Sequence, residues 1–352
     1  MSNKLQLRVF IFALVFFVAS MSAMLVYAQN KAVVIDEVQG QPGMEENVVM
    51  NDKIIIKSLN IKRGDSNEGG FTIPLPQGAS AEQVSIENKY ILQELWVSIE
   101  DCEGAFFEQQ WISGDVDCIL SGTYEVRKDR VVLKLLLNDI YECKNLLENG
   151  NLHVEPIDPR TQHDKIVVVD PLGDTQRWGA GKGSVSESDV AIDIAKKLQA
   201  KFTGSDVKVY FTRLDGTERS LQLRQHFIEA LRPDFVLCIG TSADQEAFGG
   251  MYGVEAWYNT FFTPNISGPK LADALVKEVV NATVGRGNGV WECDMTDEFL
   301  PEAKAPAVVL RVGYLSNEKE RELLAKEEYC MKIADGIYNA ILSMFVGEEI
   351  HE

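Results

Sequence analysis

The sequence predicts an α/β domain, its sheet flanked by helices, preceded by a small β-sandwich. Three observations carry that expectation. From Lys165 onward, short β-branched runs alternate with amphipathic helical patterns, the signature of an α/β unit. Between Phe71 and Pro156, strand follows strand, separated by turn signals. Between these regions Pro156–Gln162 is polar and carries two prolines, as a domain boundary does.

A chain of 352 residues favours two domains over one. The formal net charge of -19 argues against nucleic acid as a partner, because that affinity rests on Lys and Arg meeting phosphates. It argues equally against docking on an anionic lipid surface. Met1–Ala28 reads as a targeting segment. Lys4 and Arg8 precede an apolar run from Val9 to Tyr27, and Val26-Tyr27-Ala28 fits a signal-peptidase site. The run is also long enough to span a bilayer, so a cleaved signal peptide and an uncleaved membrane anchor are both open. Either places the rest of the chain outside the cytoplasm, secreted or anchored.

Residues 29–69 are expected to be a linker with short β-prone runs such as Lys53–Lys57. Residues 70–158 form the expected β-domain. Its strands are Phe71–Pro74, Tyr90–Ile99, Phe106–Ile112, Tyr124–Val126 and Val131–Leu137, with turns at Gly114-Asp115 and Asn149-Gly150. The α/β domain is expected over 163–347. It opens with a buried strand at Lys165–Asp170. A helix starts near Ser186, which forms a capping-box-like pair with Asp189. Val190, Ile194, Leu198 and Phe202 share one face, and Gly204 ends the helix. Strands follow at Val207–Phe211, Phe235–Ile239, Gly253–Tyr258 and Val308–Val312. Helices span Leu221–Leu231, stopped by Pro233, and Leu271–Val280. Ile333, Ile337, Ile341 and Phe345 stripe the closing helix. Gly179–Ser184 looks like a phosphate loop, but Gly183 follows Lys182 and the Walker spacing fails, so it reads as an ordinary loop.

The six cysteines form no CxxC and the four histidines no zinc-type spacing. A Cys102–Cys118 disulfide and buried free thiols are both open.

One stretch stands apart. Pro306–Asn317, PAVVLRVGYLSN, begins as a strand buried on both faces yet carries Arg311, and a buried charge needs a partner. It resembles the last core strand of the zinc-dependent N-acetylmuramoyl-L-alanine amidases, with Arg311 where that family has its catalytic glutamate. Other anchors come in the family's order. They are Asp170-Pro171, Glu187-Ser188-Asp189-Val190, Thr212-Arg213 with Leu221 and Arg224, Gly253-Val254-Glu255 with Trp257-Tyr258, Ser267 with Leu271-Ala272, and Arg286 with Gly289-Val290.

The resemblance implies a mixed sheet flanked by helices. It also implies one Zn²⁺ on two histidines and a glutamate, with the fourth position left for a water that the catalytic glutamate deprotonates. In this chain Gly173 and Gly240 stand at the histidine positions, Glu187 at the third ligand, and Arg311 at the base. The expectation is therefore a degenerate site with no catalytic residue and no zinc, Glu187 being a remnant ligand. A Glu187–Arg311 ion pair should replace the metal, the guanidinium fork gripping the carboxylate at two points and the glycines making room for it. Arg213, Arg224 and Trp257 are the expected substrate-binding residues, although buried arginines also suit structural ion pairs. Trp178 and Trp291 can stack on sugar rings or simply pack. Asp174 and Asp244 flank the lost ligands, and their oxygens suit Ca²⁺ or Mg²⁺ better than Zn²⁺.

The function this implies is a catalytically inactive, extracytoplasmic amidase-like protein acting as a peptidoglycan-binding or cell-wall regulatory module. Its partner would be peptidoglycan or another cell-envelope protein, with the membrane reached only through an uncleaved N-terminal segment. The alternatives are an active amidase with a rebuilt metal site and an envelope scaffold that binds no glycan.

Overall fold

The computed structural model describes residues 33–34, 54–64, 69–173, 175–179, 184–243, 250–293 and 303–346. The targeting segment lies outside them. Among the described residues no helix is long and apolar enough to cross a membrane. The chain divides into two compact units, the first ending at Ile157 and the second running on from Asp158.

The first unit is a β-sandwich. One sheet orders its strands Val33–Val34, Glu142–Glu148, Asn151–Ile157, Phe71–Pro74, Trp111–Gly114 and Asn60–Arg63. The other orders them Ile55–Ser58, Ile119–Val126, Arg130–Leu137, Glu94–Glu100 and Val84–Lys89. Burial alternates residue by residue along Glu94–Glu100, as it must where one face meets a core and the other meets water. Leu95, Val97 and Ile99 point inward and meet Phe71, Ile73 and Val154 of the facing sheet in one continuous core.

Three expectations change here. The expected linker 29–69 supplies three strands of the sandwich, Val33–Val34, Ile55–Ser58 and Asn60–Arg63. The expected strand Tyr90–Ile99 breaks into a 3-10 turn at Tyr90–Leu92 and a strand from Glu94, because Gln93 takes a left-handed φ of 54°. The expected strand Phe106–Ile112 starts instead as the short helix Ala105–Gln109, which turns Phe107 into the core beside Tyr124.

The second unit is a mixed sheet flanked by helices, as the sequence predicts. Its strands are β1 (Lys165–Pro171), β2 (Val207–Phe211), β3 (Phe235–Ser242), β4 (Val254–Tyr258), β5 (Gly287–Glu292) and β6 (Ala307–Tyr314). Its main helices are α1 (Glu187–Phe202), α2 (Leu221–Leu231), α3 (Gly268–Thr283), α4 (Glu318–Leu324) and α5 (Glu327–Phe345). The sheet order is β2-β1-β3-β6-β4-β5. Every pairing is parallel except β4 with β6. Val308, Leu310 and Val312 of β6 join Leu237 and Ile239 of β3 in a core closed by α1, α3 and α5. β5 is a strand that the sequence reads only as a turn at Arg286–Val290; its two glycines and exposed edge hide it from a propensity reading.

Among the described residues none of the six cysteines is in a disulfide. Burial pushes the thiols of Cys102 and Cys118 up to about 11 and that of Cys330 up to about 12.

Candidate functional site

β1 lies between β2 and β3, so the chain leaves it in one direction and later returns on the other side. In open α/β sheets, that reversal at the carboxyl ends of the strands opens a crevice. The residues singled out in the sequence converge there. Gly173 follows β1, Glu187 opens α1, Gly240 lies near the carboxyl end of β3, and Arg311 sits opposite Gly240 on β3 and opposite Glu255 on β4.

Glu187 is placed by the start of its helix. The Ser186 hydroxyl accepts from the Asp189 amide and the Asp189 carboxylate accepts from the Ser186 amide, at 3.1 and 3.0 Å. That box fixes the first turn and aims Glu187 at the end of β3, where its Oε1 accepts the Thr241 amide proton at 2.7 Å. Arg311 Nη1 donates to the Thr241 carbonyl at 2.6 Å and lies 3.5 Å from the same Glu187 oxygen.

The ion pair is thus looser than the two-point grip expected. The guanidinium makes its hydrogen bond to backbone and meets the carboxylate by charge. The glycines also accommodate a different side chain. A Cβ at 240 would lie 2.6 Å from Glu187 Oε1. One at 173 would press into the Glu187 stem and come 2.8 Å from the Ser188 amide nitrogen. Glu187, not Arg311, occupies the space they free. The Arg311 and Glu187 side chains keep 31% and 23% of their exposure, so water screens the pair. Arg311→Ala should therefore cost about 1–2 kcal/mol, below the roughly 3–5 kcal/mol of a fully buried pair. Glu187→Gln with Arg311→Met should cost less than that single change, read by urea unfolding.

A second cluster adjoins the first. Glu255 accepts from the Ser242 hydroxyl at 2.8 Å and from the Tyr314 hydroxyl at 3.0 Å. Burial, then the charge and hydrogen bond of Glu255, raise the Tyr314 phenol above its ordinary value, so it stays a donor. Glu320 of α4 braces the cluster by accepting the Gly253 and Tyr314 amides at 2.9 and 2.7 Å. Sequence reading missed Ser242, Tyr314 and Glu320. A strict period of two puts Tyr314 on the face opposite Arg311, but the β3–β6 register shifts between Gly240 and Ser242 and re-aims the residues beyond the shift.

The expected substrate residues separate. Arg213 is buried and donates to the carbonyls of Pro171, Leu172 and Gly173 at 2.9, 2.9 and 3.0 Å, tying down the turn after β1. Burial lowers its guanidinium from the ordinary value. Arg224 donates to the fully buried Asp170 at 2.6 Å, and the Thr212 hydroxyl donates to the same carboxylate. Burial pushes the Asp170 carboxyl up, against the opposing pull of Arg224, Thr212 and Arg213. Both arginines are occupied inside the domain. Trp257 is half-buried on β4, on the face that carries Glu255, with Trp291 of β5 at 6.4 Å between ring centroids. Trp178 packs against the core. Asp174 and Asp244 lie outside the described residues.

The sequence profile described as N-acetylmuramoyl-L-alanine amidase matches residues 166–343, half of the 352-residue chain. This chain belongs to the N-acetylmuramoyl-L-alanine amidase family. Among curated relatives, N-acetylmuramoyl-L-alanine amidase LytC of Bacillus subtilis is 25% identical over 181 residues, covering 51% of this chain and 35% of LytC. The germination-specific N-acetylmuramoyl-L-alanine amidase of the same organism is 24% identical over 51% of this chain and 80% of its own length. Among solved structures, an N-acetylmuramoyl-L-alanine amidase from Clostridium difficile 630 aligns with TM-score 0.46 and 26% identity, over 53% of this chain and 98% of that one. The chain thus spans about a third of LytC.

The zinc that the amidase family implies does not fit the donors on hand. Neither glycine offers a ligand atom, and Glu187 already accepts from Thr241 and meets Arg311. Among the described residues no group of three or more His, Cys, Asp or Glu is placed to hold a metal ion.

Proposed function

We propose that this amidase-family cell-wall protein binds peptidoglycan without cutting it, as a regulatory module of the cell envelope. One observation carries the reading: where the family would hold its metal, two glycines offer no donor and the remaining carboxylate faces a guanidinium. A hydrolase of this kind needs a polarising ion and a base for its water, and a permanent cation can be neither. The α/β unit supplies the crevice, and the sandwich precedes it as a second envelope-facing module. The chain works outside the cytoplasm, secreted or held by its N-terminal segment, with peptidoglycan or an envelope protein as its partner.

Purified protein should be retained on peptidoglycan sacculi and release no stem peptides from them, with or without added zinc. Chelator-sensitive release would overturn the loss of activity. Absence of retention would overturn glycan binding and leave a scaffold that acts through protein partners.

A further inference from the structure

Glu255 and Arg311 are direct cross-strand neighbours on one sheet face, the arrangement in which opposite charges ordinarily pair. They are held apart. Arg311 is drawn to Thr241 and Glu187, while Glu255 is drawn to Ser242 and Tyr314. The guanidinium therefore keeps one edge uncommitted: among the described residues, Nε and Nη2 donate to nothing, though a guanidinium edge is built to grip a carboxylate at two points. Beside it lies a carboxylate whose oxygens each take one donor and keep lone pairs to spare.

We infer that Glu255 and Arg311 together take a zwitterionic α-amino acid head group, its carboxylate on Arg311 Nε and Nη2 and its ammonium on Glu255. The inference rests on reading the crevice as a site that binds rather than cleaves. Charge favours a zwitterion over the other ligands a guanidinium attracts. Glu187, Glu255 and Arg311 sum to one negative charge, with the Glu320 carboxyl behind them, in a chain of net charge -19. A phosphate dianion would be repelled by both acids, and a lone carboxylate by the excess charge. A zwitterion is neutral overall and offers the second acid a cation. The head group must also be free at its amine, which excludes an amino acid linked through its α-nitrogen.

The probe is meso-diaminopimelate, an amino acid with this head group at both ends, tracked by ligand-observed NMR on the full chain. It should bind, and derivatives blocked as the N-acetyl compound or as the carboxamide at both ends should each bind at least tenfold more weakly. Glu255→Gln and Arg311→Lys should each weaken the parent compound at least tenfold; Arg311→Lys keeps the charge but loses the fork, and thermal melts confirm that both variants fold. Equal binding of a blocked derivative, unchanged binding by both variants, or no binding of the parent compound would overturn the inference. Retention on sacculi is read separately, so the head-group site can fail while peptidoglycan binding stands, and stem-peptide release would remove the binding-only reading whatever the probe does.

Discussion

Placing histidine at both positions, Gly173→His with Gly240→His, is expected to destabilise the domain by roughly 2–4 kcal/mol and to bind no stoichiometric zinc. Gly173 holds a φ of 98°, where a side chain is strained before any contact is counted. Its Cβ would meet the Glu187 stem and the Ser188 amide, which is backbone and cannot swing away. At 240 the obstacle is the Glu187 carboxylate itself, bound to the Thr241 amide. Arg311 would remain beside any ion placed there, a fixed positive charge against another. Urea unfolding together with metal analysis checks both parts. A stable double variant carrying one zinc per chain would show that Glu187 yields easily and that the fold can still hold the ion.

Asp170→Ala is expected to cost about 3–5 kcal/mol, because it removes a fully buried carboxylate that both Arg224 and Thr212 donate to. Asp170, near the end of β1, has no exposed surface, so water does not reach the carboxylate's place, though Arg224 keeps 20% of its side-chain exposure. Asp170→Asn should cost less. Burial already favours the uncharged carboxyl, and the amide oxygen still accepts from Thr212 or Arg224. Equilibrium unfolding of the two variants ranks them; equal cost would mean that packing rather than the charge pair governs the position.

Much of the α/β unit was legible because its strands are buried on both faces and its helices carry one apolar stripe. The Leu221–Leu231 helix falls where Pro233 and the periodicity put it. The Ser186–Asp189 box was readable from two residue identities, and it fixes where Glu187 points. What the sequence hid depended on register and on space. Tyr314 reaches Glu255 only after the β3–β6 shift, and no period shows a bulge in advance. The occupant of the glycine space turned on which side chain lay nearer in three dimensions. Arg213 and Arg224 looked free for a ligand because the buried carbonyls and the carboxylate they serve are distant in sequence. In the sandwich, Gln93 interrupts a run of strand-forming residues through one left-handed backbone angle that composition does not announce.

The buried thiols set a kinetic condition for any placement in an oxidising surrounding. Disulfide formation and peroxide attack both proceed through the thiolate, and a thiol with pKa near 11 is about one part in ten thousand thiolate at pH 7. Cys102 and Cys118 fall in that range, and Cys330 lies a further step beyond it. Cys102 and Cys330 are also buried, so an oxidising surrounding meets these two sulfurs only as fast as the fold opens, whereas Cys118 keeps partial exposure. Their half-life against oxidation reports breathing of the sandwich around Cys102 and of the α5 packing around Cys330, so labelling rates at these two positions give a local clock for each unit.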